Sequence, residues 1–210
     1  IQFDGTTDFL EIPASPNGDW QLGNTFTIDL WVNFNATNQD QCIFHHRWDA
    51  TYDFLFYKKA SNAWAINHNS VDQLTWNWSP SSGTWYHIAL VNNSGTLSVY
   101  VDGTALSLTS GSNGSYTAPL VPTATTVKIG QRMHGDMDMN GYLDEYRVSK
   151  GIARWKSNFT PPTRPYGDAL TVDGPRGRLY SVTDAVESHG SGSVFSVNST
   201  DGLPVFNVLN

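Results

Sequence analysis

Two groups of side chains in this 210-residue chain have the types and spacing for chemistry. The first is Asp136-Met-Asp-Met-Asn-Gly141, where Asp136, Asp138 and Asn140 stand at alternate positions before a glycine and Asp144 follows. Hard oxygen donors in that pattern suit calcium, the one cofactor the chain suggests. The closing bidentate Glu of an EF-hand would fall at Arg147, so the reading is a calcium-binding β-loop, with a solvated hairpin tip as the alternative. A second rim, Trp48-Asp-Ala-Thr-Tyr-Asp53, offers Asp49 and Asp53 to the same ion. The other group is aromatic. Trp48, Tyr52, Trp76 and Trp78 present ring faces of the kind that stack on pyranose sugars, and Trp76-Asn-Trp78 sets two rings on one side of a strand. Core packing is the competing role for these rings. Trp31, Trp85 and Trp155 are expected in the core.

Hydrolytic chemistry lacks its residues. A glycosidase needs two carboxylates facing one cleft. Only Glu11, Glu145 and Glu187 occur, and Asp144-Glu145 are adjacent, which in a regular strand sends them to opposite faces. Neither a Gly-x-Ser-x-Gly elbow nor a His-Glu-x-x-His pair is present. The expectation is a protein without enzymatic activity.

The elements that must position these residues are strands. Aromatic residues make up 13% of the chain and charged residues 15%, well under the usual quarter or so. Scarce Glu and Lys argue against helices with solvated faces. Strand-like segments fall at 9–12, 25–34, 41–47, 54–59, 63–68, 85–92, 96–101, 126–131 and 141–148. In the second of these, Phe26, Ile28, Leu30 and Val32 share one face. Asp102-Gly103 predicts a tight hairpin. Many short strands between turn residues mean an all-β sandwich or barrel. A net charge of −7 without a basic stripe excludes phosphate-driven nucleic-acid binding, and no apolar run is long enough to insert in a membrane. The single Cys42 lies among apolar neighbours and reads as an inert buried thiol.

Three motifs in order carry a resemblance: Phe3-Asp4-Gly5; Trp85-Tyr-His-Ile-Ala-Leu-Val91 with Gly95-Thr-Leu-Ser-Val-Tyr-Val-Asp-Gly103; and Gly141-Tyr-Leu-Asp-Glu-Tyr-Arg-Val-Ser-Lys-Gly-Ile-Ala-Arg-Trp155. Together they resemble the laminin-G-like, concanavalin-A-like jelly roll, in the version carried by phage and marine-virus fibre proteins. The resemblance implies an antiparallel β-sandwich over residues 1–166 that binds and displays.

Prolines at 161, 162 and 165 suggest a stiff connector, after which residues 167–210 change in texture. Gly177-Arg-Leu-Tyr-Ser-Val-Thr183 is echoed by Gly192-Ser-Val-Phe-Ser-Val-Asn198 and loosely by Leu203-Pro-Val-Phe-Asn-Val208. So short a segment lacks the surface for a core, so Tyr180, Val182, Phe195, Val197, Val205 and Phe206 are expected to pair with other copies. Its similarity to fibre-stem modules implies a trimer; packing back on the jelly roll is the alternative. The ends fall in strand-like sequence, as in a window from a longer protein. The expected protein is therefore a virion-surface or extracellular attachment protein. Its partners would be its own copies, other virion proteins and a host surface glycan. A structural decoration module without ligand, or an ancillary carbohydrate-binding module of a secreted glycosidase or adhesin, are the alternatives.

Overall fold

The computed structural model describes residues 1–15, 17, 20–111, 113–117, 125–164 and 166, and two further strands near the end of the chain. Two antiparallel sheets face one another. The six-stranded sheet has the order β1 (Gln2–Asp4), β13 (Asn140–Lys150), β3 (Phe26–Phe34), β8 (Trp85–Asn93), β9 (Thr96–Val101), β10 (Thr104–Ala105). The seven-stranded sheet runs β11 (Leu108–Ser110), β7 (Val71–Asn77), β6 (Ala63–His68), β5 (Asp53–Lys59), β4 (Gln41–Arg47), β12 (Val127–Ile129), β2 (Leu10–Ile12). No helix occurs among the described residues, so the all-β architecture expected from composition forms, and it takes the jelly-roll sandwich form that the resemblance implies. β14 (Phe195–Asn198) and β15 (Val205–Val208) pair antiparallel within the expected repeats at 192–198 and 203–208. The repeat at 177–183 lies outside the described residues, as does any pairing of the tail with other copies.

The core forms where the alternating apolar faces meet. Phe26, Ile28, Leu30, Val32 and Phe34 of β3 all point inward, against Phe44, Phe54, Phe56, Trp64, Ile66, Leu74 and Trp76 of the opposite sheet. Each such side chain removed from water stabilises the fold by roughly 1.5–3 kcal/mol. The hairpin at Asp102-Gly103 forms with both residues at positive φ, joining β9 to β10.

Alternation alone predicts a half-solvated β3, yet its other face is buried too: Thr27 and Asp29 have no exposure. The cause is a strap, residues 151–164 with Tyr166, laid across the outside of the six-stranded sheet. Its main chain is tied to Gly103 by the Phe159 N–H, at 2.9 Å. Gly103 permits that approach, since a Cβ there would stand 1.8 Å from the Phe159 carbonyl oxygen. Trp155 and Phe159 stack at 4.0 Å over Ala89, Val91 and Tyr100. Beneath the strap, Asp29 accepts hydrogen bonds from Arg147 Nε (3.0 Å) and NH2 (2.7 Å), with His87 Nε2 at 3.7 Å. Burial pushes the Asp29 carboxyl up, and His87 and Arg147 more than offset it, so the group stays ionised below the usual carboxylate range. Tyr166 closes the cluster, its ring 3.8 Å from the Arg147 guanidinium and its hydroxyl 2.9 Å from His87 Nε2.

Candidate functional site

Two exposed aromatic residues of the seven-stranded sheet, Trp48 and Tyr52, share one rim, where β4 passes into β5. The turn is held by the Trp48 N–H donating to the Tyr52 carbonyl at 2.9 Å. Asp49 Oδ1 accepts from the N–H groups of Thr51 (2.8 Å) and Tyr52 (3.1 Å), the local turn chemistry Asp is suited to. His68, at the end of β6, braces the loop through Nε2 and the Thr51 carbonyl at 3.1 Å. Trp48 is left 58% exposed and Tyr52 39% exposed.

Behind the rings lies a polar floor. The Met133 N–H donates to His45 Nδ1 at 2.9 Å, so the ring hydrogen sits on Nε2 and is donated to Asp53 Oδ1 at 2.8 Å. Asp53 Oδ2 accepts from the Asn69 N–H at 3.2 Å and lies 3.3 Å from Arg47 Nε. Burial drives the His45 imidazole down against the pull of Asp53. Burial also pushes Asp53 up, but the His45 hydrogen bond, the neighbouring charges and the Asn69 N–H together hold it below its ordinary range. Arg47 NH1 donates to His134 Nε2 at 2.7 Å, which ties the end of β4 to the 131–139 loop. Arg47, His68 and His134 were not singled out in the sequence; only the fold brings the 131–139 loop back against β4.

Trp48 and Tyr52 are thus together and accessible. Trp76 and Trp78 are not. Their shared face is the core face: Trp76 is 1% exposed, and Trp78 stacks on Trp64 at 5.6 Å and meets Tyr86 edge-on at 4.8 Å. The reason is strand parity, since Leu74, Trp76 and Trp78 point inward together. The opposite correction applies to Trp31, Trp85 and Trp155, which lie outside the core between the sheets; Trp85 is 44% exposed. Cys42 is buried, and burial pushes its thiol up, as suits an inert residue.

The four oxygen donors expected to share a cation do not converge. Asp136 is bound by Arg132, at 2.6 Å through Nε, and that hydrogen bond holds its carboxyl below the usual range. Asp138 Oδ1 accepts from Gln131 Nε2 at 2.8 Å. Asn140 opens β13 opposite Asp4, while Asp144 sits further along the strand opposite Trp31, on the outside of the six-stranded sheet. On the second rim, Asp49 serves its own turn and Asp53 is saturated by His45, Asn69 and Arg47. Among the described residues no three His, Cys, Asp or Glu side chains are grouped to hold a metal. Asp144 and Glu145 also depart from expectation. A bulge between Asp144 and Arg147 breaks the alternation, and Glu145 turns at φ 49° to accept the Tyr166 N–H on the strap side.

A family model described as Laminin_G_3, concanavalin A-like lectin/glucanases superfamily, matches residues 4–154. The chain belongs to this family. No curated protein matches it in sequence. Among solved structures, a heptameric pentraxin from Limulus polyphemus is similar over 76% of this chain and 76% of its own, at 18% identity and TM-score 0.50. Domains LG4-5 of the mouse laminin alpha1 chain match over 71% of this chain at 14% identity and TM-score 0.52, and this chain spans only 41% of that one. The botulinum neurotoxin serotype D binding domain matches over 71% and 38%, respectively, at 13% identity and TM-score 0.50. At such identities the likeness is one of fold.

Proposed function

We propose that this chain is a non-enzymatic attachment module that takes carbohydrate at the rim built by Trp48 and Tyr52. The observation that supports this most is the pair of exposed rings on one hydrogen-bonded loop, with Arg47, His68 and His134 at hand for directional contacts to hydroxyls. Rings held this way lose little freedom on binding. The engagement of four carboxylates supports a binding role over hydrolysis: Asp29, Asp53 and Asp136 are each ion-paired, and Glu145 holds the strap.

A single rim of two rings binds weakly, and multivalency makes weak sites useful. The motif resemblance over 141–166 and the repeats in 167–210 support display on a virion or appendage surface as a trimer joined through the tail. Binding to an array of host-derived polysaccharides tests the first part: Trp48→Ala should weaken it by about one to two powers of ten with an unchanged melting temperature. Binding like the parent removes the rim. Light scattering tests the second part, with an oligomer expected for the intact chain and a monomer for a chain ending at Tyr166.

A further inference from the structure

The strap covers most of the outside of the six-stranded sheet but leaves one end bare. There the register sets four residues in a row across adjacent strands: Gln2 opposite Tyr142, Tyr142 opposite Asn33, and Asn33 opposite Trp85. Tyr142 is 37% exposed and Trp85 44% exposed, and their rings approach to 6.4 Å between centroids, tilted by 47°, over the intervening strand. Asn33 lies between them, 8% exposed, and its side-chain carbonyl oxygen has no hydrogen-bond partner.

Two features here do not fit a passive surface. A buried amide oxygen without a donor destabilises a fold unless something completes it. Large aromatic rings left bare on a sheet face, beside a strap that covers the others, present apolar area for a ligand. We propose that this row is a second carbohydrate site, on the sheet opposite the rim, for a neutral pyranose. Trp85 and Tyr142 stack on the C–H face of the sugar, and a hydroxyl or hydroxymethyl group entering between the tilted rings donates to the Asn33 oxygen. The row carries no charge, and the exposed carboxylate nearest along β13, Asp144, disfavours an acidic sugar. Two rings and one amide match a single sugar unit.

The test isolates the row from the rim. In the intact chain carrying Trp48→Ala, titration calorimetry with cellohexaose, a neutral oligosaccharide, should show residual binding. Adding Trp85→Ala or Tyr142→Ala should weaken that binding about tenfold or more, with little change in melting temperature. Asn33→Leu should weaken it while leaving the protein at least as stable, because the unpaired amide is removed. An oligogalacturonate of equal length should bind less tightly. Three results overturn the proposal: no residual binding to cellohexaose, binding indifferent to Trp85→Ala, or a change of oligomeric state with Trp85→Ala, which would make the row a contact between copies. Loss of the rim alone leaves the row intact, so the two sites fail separately.

Discussion

The covered face of the six-stranded sheet and the open rim of the seven-stranded sheet use the same residue types to opposite ends. Under the strap, Asp29, Arg147 and His87 are linked to one another and to Tyr166, Trp155 packs edge-on against His87, and Asp29 and His87 have no exposure. At the rim, Asp53, Arg47, His45 and His134 are linked almost as closely, but Trp48 and Tyr52 project beyond them into solvent. What separates structure from recognition is whether a later segment of chain lies on top. A buried ion pair helps only while both partners remain; an exposed ring contributes almost nothing to the fold and is free to meet a ligand.

Breaking the covered cluster should have the largest effect. Arg147→Met leaves Asp29 charged and buried without its main partner, and should cost about 3–5 kcal/mol in urea denaturation. A loss under about 1 kcal/mol would mean that the strap, not the ion pair, holds this face. Similar in size, Trp76→Ala opens the core and should cost about 3–5 kcal/mol, whereas Trp48→Ala should change stability by less than about 0.5 kcal/mol. Equal melting temperatures for the two variants would erase the distinction between the inward and rim tryptophans.

Acid sharpens the comparison further. Burial pushes the His46 imidazole down to about 4 and lowers His45 as well. In the unfolded chain these rings take protons near pH 6.5, while in the fold they stay neutral. The unfolded state therefore binds more protons between these values, and stability falls as the pH drops from 6.5 toward 4. His46 alone should account for a loss on the order of 3 kcal/mol. Denaturation midpoints at pH 7 and pH 4.5 check the slope, and His46→Gln should flatten it. The smallest effect is expected from calcium: calorimetry with Asp138→Ala should match the parent, because Asp138 is engaged by Gln131 rather than set in a cluster.

The sandwich was legible because period-two alternation, as at Phe26 to Val32, and turn pairs such as Asp102-Gly103 are local properties of the chain. Of β7 only the Trp76-Asn-Trp78 end was legible, because Val71-Asp-Gln-Leu-Thr75 is polar enough to pass for loop and its ladder is broken by an irregularity near Asn67. Trp48 and Tyr52 were legible too, since a short Asp-containing turn between two strands has nowhere to hide its rings. Which side of a strand faces inward was not. Trp76 and Trp78 share a face by sequence, but only the opposing sheet makes that face the core. Trp85 reads as core because it sits in one of the motifs that carry the resemblance, yet its parity sends it outward to a place the strap does not reach. The sequence by itself determined the strands, their turns and the residues able to alternate. The tertiary structure decided which face is dry, which charges are paired and which rings remain free, because burial depends on what packs above a residue, and that neighbour comes from a distant part of the chain.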